Sequence, residues 1–500
     1  MSEPKHEVSH QDEDDQALNF LPGNPDEYSA LEKKLIRKVD CRLMPVLIAM
    51  IVLNYLDRNA LPNARIQGIE KDLGLLPGQY NTSISVLFAG YLALQIPSNI
   101  LLTRVRPSIY LPVCMALWGA VSASTAAVKN FEGLVVCRFF LGFLEAPFFP
   151  GALFLLSSWY TPQELATRTA VMYCGSLLSS AFGGLIGAGV QYGLDGVHGL
   201  EPWRWLFLIE GAVTVVLSLL SIFMLPDFPS TTRWLSDQEK AIATHRLRMF
   251  SGSRDEERGP LLMGVRMAVS DYKVWLLSLI VILKTSAGAV TAFIPTLVAT
   301  FKYGKVQSLL MTAPPYVLAA IVSLVISISS DRREERYFHL VGPLVFGMIG
   351  YIIAASTTSL AGRYFSLFLM LGGVYGSFDI TYAWISSTLP RPIEKRAAAF
   401  AIANMVGNMA QIYSPYMYNA ELYAPRYVPA MICNTIFVLA AIVAATLLRF
   451  CLKRENAELE AVEVAQAAAE PNPDPKHGEE IIQSAPGGLL RLNPGFRYTL

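Results

Sequence analysis

The stretch Leu43-Met44-Pro45-Val46-Leu47-Ile48-Ala49-Met50-Ile51-Val52-Leu53-Asn54-Tyr55-Leu56-Asp57-Arg58-Asn59-Ala60-Leu61 decides the fold. It holds no charge before Asp57, and at about 20 residues it is long enough to cross the ~30 Å hydrocarbon core of a bilayer as a helix. The stretches near 80–103, 108–128, 132–157, 167–192 and 204–225 have the same character. A second set follows near 273–297, 307–329, 337–358, 364–386, 396–418 and 427–449. The fifth and eleventh are weak by hydropathy, and Gly and Pro interrupt several others.

The composition fits that reading. Of 500 residues, 53% are hydrophobic and 16% charged, against roughly 25% charged in an ordinary globular chain. A soluble fold of this length has no way to hide so much apolar surface. The formal net charge is zero, and the basic face of a nucleic-acid binder is missing. The expected fold is therefore an all-α membrane protein of twelve transmembrane helices in two six-helix bundles. The predicted segments are a tail over 1–40, a first bundle over 41–225, a polar central loop over 226–272, a second bundle over 273–449 and a tail over 450–500. Beyond a helical continuation to about Ala469, the last segment is expected to be mobile.

The basic residues set the orientation. With the N-terminus cytoplasmic, the inner loops collect Lys33, Lys34, Arg37, Lys38, Arg42, Arg104, Arg106, Arg168, Arg332, Arg333, Arg336, Arg391, Lys395, Arg396, Arg449, Lys453 and Arg454, seventeen against eight outside. Both termini are expected in the cytoplasm, and the plasma membrane is the expected location.

Several motifs carry nothing. His6-Glu7-Val8-Ser9-His10 spells a zinc-protease pattern, but in an acidic tail with no third ligand. The six cysteines form no CxxC pair. No phosphate-binding loop is present, and no cofactor or metal is expected. Asn81-Thr82-Ser83 is a glycosylation sequon at the very start of the second span, too close to the membrane for ready modification. Gly183, Gly184, Gly187 and Gly189, like Gly372 and Gly376, are explained by close helix packing.

The charges inside the spans carry the chemistry, because a charge there costs several kcal/mol unless it has a partner, water or a function. Asp57 and Arg58 lie late in the first span, and Arg138 and Glu145, two helical turns apart on one face, in the fourth. These four can gather around one cavity. Mutual neutralisation would hold two helices together, but apolar packing does that better. A functional arrangement offers an arginine fork for a substrate carboxylate and a carboxyl that carries a driving proton. In the second half Lys284 and Asp379 form a possible charge pair, with Trp384, Asn404, Asn408 and Gln411 on the later helices, Asn404 and Asn408 being candidate substrate-binding residues.

These residues sit in familiar surroundings. Asn54-Tyr55-Leu56-Asp57-Arg58, Gly90-Tyr91-Leu92-Ala93-Leu94-Gln95-Ile96-Pro97-Ser98-Asn99, and Arg138-Phe139-Phe140-Leu141-Gly142-Phe143-Leu144-Glu145-Ala146-Pro147 resemble the major facilitator superfamily. More narrowly, they resemble its anion:cation symporters in the fungal branch of allantoate, nicotinate and pantothenate permeases. Ser158-Trp159-Tyr160, the run from Trp203 through Glu210 to Gly211, and Leu225-Pro226-Asp227-Phe228-Pro229 support the likeness, which runs from about residue 30 to 455. It implies two bundles rocking about a midplane site. It also implies that Arg58 and Tyr91 meet the substrate, that Asp57 and Glu145 are proton-sensitive carboxylates, and that Arg138 pairs with Glu145. The loop Thr103-Arg104-Val105-Arg106-Pro107 departs from the family's acid-containing gate motif, which puts the usual charge latch of the first half in doubt.

The resulting expectation is a monomeric secondary transporter rather than an enzyme, taking up a small organic anion such as nicotinate, pantothenate or allantoate with protons. Its only other partner is the lipid bilayer. Export of a small metabolite, or a sensor on the same scaffold, are the alternatives.

Overall fold

The structure is a computed structural model that describes residues 24–469, apart from 103–104, 230, 233, 252–260 and 390–392, together with 481–485, 488–492 and 497–498. The His6 to His10 motif, Arg104 and Arg391 lie outside the described residues. Among the described residues, twelve long helical units follow one another. In the first half they are α1 (Pro25–Gln67), α2 (Gln79–Leu102), α3 (Pro107–Ser124), α4 (Phe131–Glu145, resumed as Phe148–Ser157), α5 (Pro162–Gly193) and α6 (Pro202–Met224). In the second half they are α7 (Tyr272–Gly288, continued to Ala299), α8 (Lys305–Leu310 and Ala313–Arg333), α9 (Tyr337–Ser356), α10 (Leu360–Gly376 and Phe378–Thr388), α11 (Ile393–Tyr413) and α12 (Val428–Ala469).

Among the described residues, nine of these are both long and apolar enough to cross a membrane on their own. The other three, α2, α10 and α11, are held among apolar neighbours, which tolerates their Ser, Asn and Gln. Large side chains such as Phe223, Phe346, Phe365 and Phe450 are exposed around the outside. That is the surface a bilayer covers.

Helix ends follow local chemistry. Asn24 caps α1 through Asp26 N, with Pro25 in the first turn and Gly68 in the left-handed conformation at the far end. The α1 helix starts at Pro25, well before the apolar span predicted from residue 43, because its first turns dock on the helix Asp237–Ser251 of the central segment. Lys38 Nζ bonds Glu239 Oε2 at 2.7 Å, Arg246 meets Glu164 and Glu32, and Trp234 stacks on Trp159 with ring centroids 5.7 Å apart. Asp40 accepts from Tyr160 and Arg168. The second half fastens the same end by other means. There Lys395 and Asp271 form a fully buried pair at 2.6 Å.

Strands Ile481–Ala485 and Gly488–Leu492 pair as an antiparallel hairpin. Asn456 clasps the backbone of Tyr498 by two hydrogen bonds, at 2.8 and 3.0 Å, and the Tyr498 ring lies under Lys273 Nζ.

Two helices of the first bundle touch backbone to backbone. A Cβ on Gly142 of α4 would sit 1.8 Å from Leu87 O of α2, and one on Gly90 would sit 2.1 Å from Phe139 O. Only glycine permits this approach, and it brings Tyr91 and Glu145 to one level.

Candidate functional site

Glu145 is the last residue of the first segment of α4, and Pro147 follows two positions later. A proline donates no backbone hydrogen bond and restricts the residue before it, so the helix breaks there. Glu145 itself is 1% exposed. Arg58 Nε donates to its Oε2 at 2.5 Å, joining α1 to α4. The guanidinium also lies 4.9 Å from the Tyr91 ring centroid and 5.4 Å from that of Tyr55. A charged pair held among aromatic faces has little water to compete with it, so the attraction is strong and the cost of breaking it without replacement is high.

The predicted pairing of Arg138 with Glu145 is not what the structure holds. Glu145 is bonded to Arg58, while Arg138 packs its guanidinium on Phe207 of α6, 5.4 Å from the ring centroid, and its Nε and Nη2 have no hydrogen-bond partner. The seven-residue spacing does put both side chains on one helix face, but Arg58 reaches the carboxylate from the neighbouring helix. Asp57 also departs from the expected common cavity. Adjacent residues on a helix point about 100° apart, and Asp57 turns into its own bundle, where Ser122 of α3 donates at 2.6 Å and Thr214 of α6 at 3.0 Å.

In the second half, the expected Lys284 to Asp379 pair is absent as well. The α10 helix is interrupted at Ser377. Lys284 Nζ reaches the start of its second segment, bonding Ser377 O and Phe378 O at 3.4 Å and Thr381 Oγ1 at 2.9 Å. Asp379 instead accepts from Ser323 of α8 at 3.0 Å. Asn404 and Asn408, both half-buried, bond each other along α11. They share a helix face with Phe400, whose ring stacks on Tyr382.

An aromatic bridge joins the halves. Tyr173 of α5 stacks flat on Phe378 of α10, with centroids 4.5 Å apart and planes within 3°. Tyr55 meets Tyr173 edge-on at 6.4 Å, and Lys284 Nζ lies 4.5 Å over Phe378. Arg58 thus stands at one end of the bridge and Lys284 at the other. Such a place suits a small, flat anion, with a cation from each half and π-faces between them. Sequence reasoning did not single out Tyr173, Phe378 or Tyr382. The signal available was Phe378 beside the α10 interruption, whereas Tyr173 lies within the unbroken α5.

The family model of the Major Facilitator Superfamily matches residues 47–415. The chain belongs to that superfamily. Among its relatives, the MFS-type transporter cnsO of Penicillium expansum is 35% identical over 456 residues, covering 87% of this chain and 86% of that protein. The high-affinity nicotinic acid transporter of Saccharomyces cerevisiae is 29% identical over 443 residues, covering 88% and 82%. Of solved structures, the proton:xylose symporter XylE superposes with a TM-score of 0.66 at 13% identity, covering 82% of this chain and 95% of that one. An inward-facing bacterial homologue of the human lysosomal transporter Spinster gives 0.63 at 17%, covering 81% and 95%. At such identities these two speak for the fold alone. The chain is a multi-pass membrane transporter of a small molecule.

Proposed function

We propose that this member of the superfamily carries a small organic anion into the cell together with a proton, by alternating access, from the plasma membrane and with both termini in the cytoplasm. The observation that carries the reading is the Arg58 to Glu145 pair between aromatic rings at the level of the α4 break. A substrate carboxylate is the natural competitor for the Arg58 fork. Once it takes the guanidinium, Glu145 stands in a nonpolar setting without a counter-ion and takes up a proton. One negative charge and one positive charge then move together.

The arrangement of the halves supports the cycle. At the end of the molecule away from the termini, Arg65 reaches Thr296, Lys305 reaches Gln67 O, and Thr82 meets Tyr416. In our reading this closes the outer side, so the site exchanges with the inside. Nicotinate is the first compound to try, given the relative that carries it. Asn81 is 4% exposed within α2, which speaks against a glycan there.

The test is uptake of labelled nicotinate, pantothenate and allantoate by intact cells, with and without a protonophore. Accumulation that the protonophore abolishes is expected. Efflux without uptake would replace the reading by export.

A further inference from the structure

We propose that a small cavity beside the aromatic bridge, lined by Asn63, is a subsite for an uncharged amide or hydroxyl group of the transported anion, and that Asn63 selects carboxylates carrying such a group. It rests on the reading above, in which Arg58 takes the carboxylate.

Along α1, Tyr55, Arg58, Asn59, Pro62 and Asn63 recur at helical spacing and share one face. The first two belong to the candidate site, and the last three line the cavity. On α5, Tyr173 of the bridge and Ser180 of the cavity stand two turns apart on one face. The second half supplies Thr291 and Pro295 of α7, Thr312 at the interruption of α8, and Tyr316. The cavity therefore continues the site along α1 and α5, and both halves wall it. Beside it α5 and α8 touch, since a Cβ on Gly184 would lie 2.9 Å from Leu309 O.

Most polar groups of the lining are engaged. Asn59 Nδ2 donates to Ser180 Oγ at 3.0 Å, Thr312 Oγ1 to Leu309 O at 2.7 Å, and Tyr316 OH to Thr291 O at 2.8 Å. Asn63 differs. It is 3% exposed, and among the described residues its side-chain amide has no hydrogen-bond partner. Glycines of α5 leave it space: a Cβ on Gly183 would lie 3.2 Å from Asn63 Nδ2, and one on Gly187 3.6 Å from Asn63 Cβ.

A buried amide without a partner is costly, so a guest that bonds it is favoured. The lining carries no charge, so the guest group is neutral. The space holds about one water-sized group, and so admits the tip of a substrate rather than the whole of it. The oxygen of an amide or a hydroxyl meets all three conditions. Asn63 also lies about 7.5 Å further along α1 than Arg58, so the neutral group must stand several bonds from the carboxylate. Pantothenate and allantoate carry groups of this kind. The ring nitrogen of nicotinate is close to its carboxylate, and nicotinate then occupies the Arg58 end alone.

The test is titration calorimetry of adipate monoamide and hexanoate on purified full-length protein in detergent. The two share the same carbon chain and a carboxylate, and only the first ends in an amide. Wild type should bind the monoamide about tenfold more tightly, the scale of one hydrogen bond to a buried polar group. Asn63→Leu keeps a similar volume without polar atoms, and there the preference should shrink to less than about twofold with hexanoate still bound. Equal binding of the two acids by wild type, as a cavity holding only water would give, overturns the proposal. So does a preference that survives in Asn63→Leu. Loss of affinity for both acids alike in that variant marks a structural role and also overturns it. Wild type that binds neither acid overturns the anion reading of Arg58, and this subsite with it, which is a distinct result. Should Asn63→Leu fail to fold, Asn63→Ala takes its place with the same expected loss of preference, and a preference retained there contradicts the proposal.

Discussion

The two bundles solve one structural problem with different chemistry. Each breaks a helix beside the candidate site, α4 after Glu145 and α10 at Ser377. Each sends one cation toward the aromatic bridge, Arg58 from α1 and Lys284 from α7. In the first half the cation meets a carboxylate, and two further acids and an arginine lie behind it. In the second, the cation meets only carbonyls and a hydroxyl. A pair that an anion and a proton can take apart suits coupling, whereas an amine held by neutral dipoles has no carboxylate to release. In the function proposed above, coupling belongs to the first bundle and shape to the second.

The largest effect expected from that division is at Arg58. Arg58→Lys keeps the charge but loses the planar fork, and uptake should fall about 10- to 100-fold, the scale of a lost hydrogen bond to a charged group. Membrane levels should stay unchanged. A cationic best substrate, or undiminished uptake, would break the comparison at its root.

Packing gives the next contrast. Gly142→Ala pushes a methyl into Leu87 O, and the α2–α4 contact should lose about 1–3 kcal/mol or more. Gly372→Ala of the second half, where the close helix contact expected from sequence is missing and a Cβ would find only Val322 Cγ1 at 4.0 Å, should be neutral or stabilising by up to about 1 kcal/mol. Thermal melts of the two variants in detergent should separate clearly, and equal melts would mean that the close approach carries no weight.

Lys284→Met sharpens the division more finely. If the halves share the anion equally, its loss matches that of Arg58→Lys. Because Lys284 is engaged with neutral groups, the account expects a smaller loss of affinity, about fivefold, with coupling to pH intact.

The smallest effect concerns the cytoplasmic-side clasp. Burial would raise the Glu239 carboxyl, but the hydrogen bond from Lys38 and those from Ser236 outweigh it and hold it below the ordinary glutamate value. A depressed carboxyl stabilises the folded form above the unfolded value of about 4.3, and that contribution fades as pH falls through the lower folded value. Hydrogen exchange in the helix Asp237–Ser251 should therefore quicken below about pH 4.3 in wild type. In Glu239→Gln it should already be quick at neutral pH.

Much of this was legible in the sequence, and the exceptions have causes. Most spans could be counted because residues facing lipid leave an apolar record, and α2, α10 and α11, which fall short of it on their own, were placed by their spacing between the others. The α1 extension to Pro25 left no such record, since Lys38 and Asp40 are stabilised by partners some 120 to 200 residues away. Spacing put Arg138 and Glu145 on one face correctly, yet spacing along one helix says nothing about a rival such as Arg58 on another. Asp379 looked like the counter-ion of Lys284 because two lone charges invite pairing, and the backbone carbonyls of Ser377 and Phe378 that hold the amine are invisible in a list of side chains. Asn63 was not singled out, because nothing in the chain order shows that α5, α7 and α8 wall a cavity around its amide.

In the proposed cycle Glu145 releases Arg58 and takes a proton when the anion binds. Glu145→Gln keeps the shape and fixes the neutral form, so the direct measurement is transport by this variant in liposomes with the labelled carboxylate that the wild type accumulates. Counterflow without accumulation under an imposed pH difference is expected. Full pH-driven accumulation by the variant would contradict it.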